Sequence, residues 1–417
     1  MRARSRGSLD AAGPPVDGGL TRRSLLARGA VAAGTGAVAA SGVAAPAALA
    51  GHTPAPPSPD RPPPSSDLVS YEEVALAFRC HGMHLEALRF PITPLGQHFV
   101  LIHFDVPYFA GVTDAYSFTI TGRVRTPMTV TLGQLKARPT VRQPTIMECA
   151  GVGRSAAHPR AIYVPWQYEP MGVYEYTGTP LRPILEEAGL LDDAVEVVFT
   201  GHDEGIDLGV RHNFERALPV KEALADGVLL AWEANGQALL PHHGFPLRLI
   251  VPTWYGMTSV KYLKSITVID HTFQGEEQKQ VYRDTFSSSD GGRPIQKKAV
   301  RSAMMPPGIP DAISRHRFVS RGPTVLEGKA WSGEGRIVRV EVSTDDRRTW
   351  RPAALQPAVS PFAWTPWTFT WDVRRRGEYI VSSRATDSAG NIQPLRAFWN
   401  VQGMAQNGVE RIGVTVQ

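Results

Sequence analysis

The chain has 417 residues, 42% hydrophobic and 20% charged with nine tryptophans, which suits two domains with sizeable cores. Its formal charge of +5 sits mostly at one end: residues 1–50 hold six arginines against two acids, a local +4, leaving +1 for the remainder. A nucleic-acid-binding surface therefore loses its main support.

In chain order, the first fifty residues have the form of an export signal. TRRSLL (21–26) is a twin-arginine pattern with Leu25 where such signals often carry Phe, and an Ala/Gly/Val stretch (29–50) ends in Ala48-Leu49-Ala50, an A-x-A cleavage site. That stretch is too rich in small residues for a strong membrane span, and no later run is apolar enough to cross a bilayer. Export by the twin-arginine route to a periplasm or cell envelope is expected, with no stable membrane span after processing. The route carries folded proteins, as suits one that takes up a cofactor first. Residues 51–67 are proline-rich and read as an extended tether.

From 68 to 275 strand-like and helical runs mix irregularly. HFVLIHF (98–104), FTITGRV (118–124), VEVVFTG (195–201) and PLRLIVP (246–252) read as strands. PLRPILEEAGL (180–190) reads as a helix, with Pro180 near its start, an apolar face of Leu181, Ile184, Leu185 and Ala188, and Gly189 as its stop. No G-x-G-x-x-G follows a strand, so a dinucleotide fold is not expected. Residues 276–305 are polar around SSSDGG and read as a linker. Over 306–417, RIVRVEV (336–342), WTFTW (367–371), YIVSSRA (379–385) and RIGVTV (411–416) alternate with turn signals and no helix, the pattern of an Ig-like antiparallel β-sandwich.

One stretch concentrates chemistry. TIMECAGVGR (145–154) places one of the chain's two cysteines, Cys149, after an apolar run and before two glycines and an arginine. A disulfide to Cys80, an inert buried thiol, a nucleophile with a histidine base, and a zinc site with His202, His242, His243 or His271 are all open readings. None has a recognisable spacing such as C-x-x-C or H-E-x-x-H. A fifth reading is a single thiolate on a metal whose other ligands come from a cofactor. Glycines beside the thiol then permit close backbone approach, and arginine supplies planar donors for an oxyanion.

ECAGVGR, GVYEYTGTPLRPILEEAG (172–189) and LLAWEANGQALLPHHGFPLRLIVPTWYGMTSVKYLKSI (229–266) resemble the sulfite oxidase family of molybdopterin enzymes. KAWSGEGRIVRVEVSTDDRRTW (329–350) and the region 384–407 resemble that family's dimerisation domain, so the likeness runs from about 70 to 417. It implies an α+β chain: a mixed α/β molybdopterin-binding domain followed by the sandwich, forming a homodimer. Cys149 matches the thiolate that ligates molybdenum, with a pterin dithiolene supplying further sulfurs. His103, Asp203, His243, Arg248, Ser259, Val260 and Lys261 match pterin contacts, Arg248 and Lys261 those to its phosphate. Arg154, Trp166 and Tyr282 match the substrate pocket.

The pattern departs at that pocket. Leu101, Val152 and Gln402 stand where sulfite-oxidising members often have arginine, asparagine and arginine. Arg160, His158 and Arg211 are candidates to compensate. The resemblance implies two-electron oxygen-atom transfer, sulfite to sulfate, with electrons leaving to an external carrier such as a c-type cytochrome. The chain has no C-x-x-C-H and no cysteine cluster of its own. The alternatives are an S-oxide reductase of the same fold, for which the sandwich is unusual, and a metal-free cell-surface binding module.

Overall fold

The structure is a computed structural model and describes residues 71–109, 111–112, 114–161, 163–287 and 290–417. The expected export signal and tether lie outside the described residues. Among those described, no helix is long and apolar enough to cross a membrane.

The first unit is built on two sheets. One has the strands β1 (Ser117–Gly122), β2 (Met128–Thr131), β5 (Glu196–Asp207), β6 (Val210–Pro219) and β10 (Leu263–Ile269), in the order β2-β1-β10-β5-β6. It is mixed: β1 and β10 run parallel and its other pairs antiparallel. The other sheet has β3 (Val141–Glu148), β4 (Met171–Pro180), β7 (Leu229–Ala234) and β8 (Gln237–Ala238) in that order, with β9 (Arg248–Ile250) paired to β7. Short helices α1 (Tyr71–Arg79), α2 (Leu132–Lys136), α3 (Leu181–Ala188) and α4 (Val220–Ala223) fill in around them.

The local reasons are plain in the sequence. In α3 all four residues of the expected apolar face are buried, and Gly189, at φ 70°, closes the helix by donating to the Leu185 and Glu186 carbonyls. Thr131 and Gln134 form a reciprocal capping box at the start of α2. β5 and β6 join through Leu208 and Gly209, both at positive φ, as the twist of a two-residue hairpin demands. One continuous core takes Phe118 and Ile120 from the first sheet and Leu230 and Leu249 from the second.

The second unit is a two-sheet sandwich, β11 to β20 in chain order: Arg301–Met305, Ile309–Pro310, Arg317–Val319, Gly322–Trp331, Ile337–Ser343, Arg351–Pro352, Ala354–Leu355, Thr365–Val373, Gly377–Asp387 and Ile412–Val416. One sheet is ordered β11-β14-β18-β17, the other β12-β13-β20-β19-β15-β16. Trp367 and Leu326 of the first meet Val340, Val381 and Val414 of the second in a core of their own. The pairs are antiparallel except β13 with β20, which is parallel.

Two expectations need correction. HFVLIHF is not a strand: only Val100 makes a bridge, to His81, and the rest is irregular backbone along the pocket described below. The stretch 276–305, expected as a linker, is built into the fold. It buries Tyr282, Ile295, Lys298 and Arg301, and its end is β11. Its polarity misleads because three of its charged side chains, Glu277, Lys298 and Arg301, are buried with partners rather than solvated.

Candidate active site

Cys149 follows the last residue of β3 and lines a cleft. The cleft wall comes from five places: the 98–103 segment, the end of β3, Phe214 of β6, the 3-10 turn Pro241–His243 running into β9, and the 256–261 segment before β10. These carry Cys149, His103, His243, Arg248, Ser259 and Lys261, all singled out in the sequence.

Each is held by its neighbours. Arg248 donates from Nη1 to the His243 carbonyl (2.8 Å) and from Nη2 to the Ser259 carbonyl (2.9 Å), tying the two motif segments together. Lys261 Nζ donates to the Leu101 (2.9 Å) and His242 (3.1 Å) carbonyls, so a third proton of its ammonium stays available. Ser259 Oγ accepts from the Val251 amide at 3.0 Å, so it braces β9. Val260 is buried, and its carbonyl accepts from the Leu249 amide. Asp203 lies where the β5–β6 register shifts between Thr200 and Glu204, a bulge that takes it out of the ladder.

His103 Nδ1, His243 Nε2 and Arg248 Nε are buried without a hydrogen-bond partner among the described residues, as is Asp203 Oδ1. Orphaned polar atoms are costly, of order 1–3 kcal/mol each, and the three on the cleft wall point to a polar ligand that satisfies them.

The electrostatics fit a polar guest in a dry site. Burial pushes the Cys149 thiol up to about 11, opposed by the Gly151 amide and Arg154. A bound cation reverses this and holds the thiolate. Burial brings His103 down to about 3 and drives His243 far below its ordinary value, so both rings are neutral near pH 7. Asp203 is raised by burial, with Lys261 pulling it back, and Lys261 is lowered by burial, with Asp203 opposing.

Arg154, Trp166 and Tyr282, expected around a substrate, pack near Cys149 but are not among the residues lining that cleft. Arg154 is buried, donating from Nε to the Gln402 carbonyl and from Nη1 to the Val164 carbonyl, both at 2.9 Å. A Cβ on Gly151 would stand 2.7 Å from Trp166 Cδ1 and 2.8 Å from Arg154 Nη1. The glycine after Cys149-Ala150 is thus required by its protein neighbours, which close on it. Trp166 is buried with Nε1 unpartnered among the described residues. The Tyr282 hydroxyl shares a hydrogen bond with His103 Nε2 at 2.7 Å, and its ring lies under the Arg216 guanidinium.

Of the three candidates to compensate, two are spent elsewhere and His158 is exposed. Arg160 pairs with Glu73, and Arg211 pairs with Glu204 at the surface (2.7 Å). Gln402 turns its side-chain amide to the Gln280 carbonyl (3.3 Å). Cys80 and Cys149 are both buried free thiols, which removes the disulfide reading. Among the described residues no group of three His, Cys, Asp or Glu is placed to hold a metal, so a zinc site made by the chain alone is not formed.

Sequence reading missed three contributors. His98 lies on the cleft wall, brought down to about 4 by burial. Arg216, fully buried, donates to the Glu277 carbonyl at 2.7 Å beside Tyr282. Glu148, next to Cys149, is buried and bound to two residues of the sandwich. His98 and Glu148 open stretches already quoted, HFVLIHF and ECAGVGR, but nothing local marks them as functional; only the charge of Arg216 and Glu148 inside apolar strands was a signal.

Residues 103–277 match the oxidoreductase molybdopterin-binding domain, and residues 292–417 the Mo-co oxidoreductase dimerisation domain. Sulfite oxidase of Gallus gallus is 31% identical over 339 residues, covering 77% of this chain and 72% of that protein. Mitochondrial sulfite oxidase of Drosophila melanogaster is 31% identical over 351 residues, 78% of this chain. NADH nitrate reductase of Ulva prolifera is 30% identical over 349 residues, 77% of this chain. The chain spans 59% of the length of the Drosophila protein and 40% of the Ulva one. Among solved structures, the sulfane dehydrogenase SoxCD of Paracoccus pantotrophus aligns with a TM-score of 0.67 and 27% identity, over 81% of this chain and 86% of that one. Both domain matches are to oxidoreductases, which sets aside the metal-free binding module. On these likenesses and on the two-domain architecture, the chain belongs to the sulfite oxidase-like superfamily and is a molybdopterin-dependent oxidoreductase.

Proposed function

We propose that the chain oxidises a small sulfur-centred substrate, sulfite in the first instance, and passes the electrons singly to a separate carrier such as a c-type cytochrome. When bound, the molybdenum cofactor supplies two-electron oxygen-atom transfer. The observation that carries the reading is the buried Cys149 thiol on a cleft wall that also presents His103 Nδ1, His243 Nε2 and Arg248 Nε without partners among the described residues. Those atoms suit the polar edges of a pterin.

In this reading Cys149 holds the metal, and Lys261 with Arg248 holds the phosphate through the donors their carbonyl partners leave over. His103 and His243, both neutral, contact the pterin, and Asp203 accepts from it. Arg154, fixed by the Gln402 and Val164 carbonyls, is the cation assigned to the substrate face, with Trp166 and Tyr282 assigned beside it. The likeness to sulfite oxidases and to a sulfane dehydrogenase supports a sulfur substrate. TRRSLL and Ala48-Leu49-Ala50 support export to a periplasm or envelope, and the dimerisation-domain match supports a homodimer.

A second reading rests on Leu101, Val152 and Gln402, which leave Arg154 with less cationic company than a dianion asks for. It is a less charged sulfur substrate, including an S-oxide reduced in the opposite sense. The experiment is turnover of sulfite with an artificial one-electron acceptor against turnover of methionine sulfoxide with a reduced dye. Sulfite-dependent reduction of the acceptor supports the first reading. Dye oxidation by methionine sulfoxide alone replaces it with the second.

A further inference from the structure

We propose that the C-terminal sandwich positions the thiol of Cys149, through Arg301 and Trp331 acting on Glu148. Glu148 directly precedes Cys149, and its side chain is almost wholly buried. Each of its carboxylate oxygens has a donor from the other domain: Arg301 Nη1 at 2.6 Å from Oε1, and Trp331 Nε1 at 2.9 Å from Oε2. Both donors are buried as well.

The fold explains how two donors arrive together. Arg301 opens β11 and Trp331 ends β14, and the two residues are directly opposed in the antiparallel ladder. Opposed residues project to the same face of a sheet, so the rim of the sandwich presents a guanidinium and an indole N–H side by side. Arg301 also lies over the Trp331 ring, 5.4 Å from its centroid, which fixes one against the other.

The same guanidinium also braces the backbone that pairs with the Cys149 amide. Arg301 Nη2 donates to the Tyr168 carbonyl at 2.7 Å, and two residues on, the Pro170 carbonyl accepts from the Cys149 amide at 2.9 Å. Both strands of backbone that locate Cys149 are thus tied to one side chain of the sandwich. A nearby residue repeats the pattern: Lys298 Nζ donates to the Pro252 and Trp254 carbonyls, and Trp254 leads into the 256–261 segment of the cleft. A buried carboxylate with every donor supplied from across a domain boundary locates its neighbour closely, because any shift leaves a charge unpaired.

Arg301 and Trp331 are therefore positioning residues and touch no reacting atom. The inference rests on Cys149 being the working thiol only for its catalytic consequence. Its test reads the thiol itself in protein purified without cofactor, so its failure is distinct from failure of the proposed reaction. Full-length wild type, Trp331→Phe and Arg301→Gln are alkylated with iodoacetamide, and the Cys149 and Cys80 peptides are followed separately by mass spectrometry. Trp331→Phe keeps an apolar ring and removes the N–H, so it folds even where Arg301→Gln does not. Cys80, buried at the end of α1, reports general loosening. The expected result is roughly tenfold faster alkylation of Cys149 in Trp331→Phe with Cys80 unchanged, a local opening. In loaded enzyme the same variant lowers kcat with KM nearly unchanged. Equal rates at Cys149 in variant and wild type, or parallel acceleration of both thiols, overturns the proposal.

Discussion

The hydroxyl of Tyr282 lies 2.7 Å from Nε2 of His103, joining residues 179 positions apart in the chain. Burial raises the Tyr282 phenol well above its ordinary value and lowers His103, so a neutral phenol shares a hydrogen bond with a neutral ring. The other ring nitrogen, Nδ1, lacks a partner among the described residues. Tyr282→Phe removes the bond and leaves Nε2 unpaired as well. It should destabilise the protein by about 1–3 kcal/mol, the cost of an unsatisfied buried group, and reduce cofactor retention. Urea unfolding and pterin content of the purified variant check both; unchanged values would remove Tyr282 from the site.

Lys261 is the cation assigned to the cofactor's phosphate. Lys261→Met keeps its apolar stem and loses the ammonium that donates to the Leu101 and His242 carbonyls. Losing one partner of a buried charged contact costs about 2–5 kcal/mol of affinity, so the variant should emerge from gel filtration nearly free of pterin while keeping the wild-type circular dichroism. Full pterin retention would move the phosphate elsewhere.

Lys298 gives the fold a pH dependence with a definite sign. Burial lowers its ammonium to about 7 from a reference of 10.5, with Glu148 opposing. Between those values the unfolded chain binds more protons at this residue than the folded one. Its contribution to stability therefore rises with pH across that window and is lowest below pH 7. In Lys298→Met that slope is absent. Urea unfolding of both proteins between about pH 6 and 10 should show the stability of wild type, relative to the variant, growing with pH. A flat or falling difference contradicts the assignment.

The substrate face makes its own prediction. Leu101 lines the cleft where sulfite-oxidising relatives by resemblance carry a cation. Leu101→Arg should lower KM for sulfite by about tenfold with kcat little changed, since one charge-assisted hydrogen bond is worth roughly 1.5 kcal/mol or more. An unchanged or higher KM would favour the less charged sulfur substrate.

The parts of the site that sequence revealed are those built from short contiguous motifs. HGFPLR places the buried Arg248 five residues from the His243 carbonyl it binds, and in MTSVKYL Ser259 braces the nearby β9 end, so much of the chemistry and the fold lie within a few residues. Helix α3 was legible for the same reason, since its periodicity and its Gly189 stop are local. HFVLIHF misled because a short apolar run along a cleft looks like a strand although nearly all of it lacks a ladder. The 276–305 stretch misled because Lys298 and Arg301 are charged and buried, and only tertiary partners reveal which charges face water. Glu148 was invisible as a functional residue because its two donors lie 153 and 183 positions away.

The central claim is that the Cys149 thiolate holds molybdenum. The most direct measurement is elemental analysis of correctly matured wild type and Cys149→Ser, both verified as folded, alongside turnover. About one molybdenum per chain in active wild type, with turnover abolished in the serine variant, is the predicted result, since a thiolate suits this soft-ligand metal and a hydroxyl does not. Fully active wild type free of molybdenum, or a serine variant as active as wild type, would contradict it.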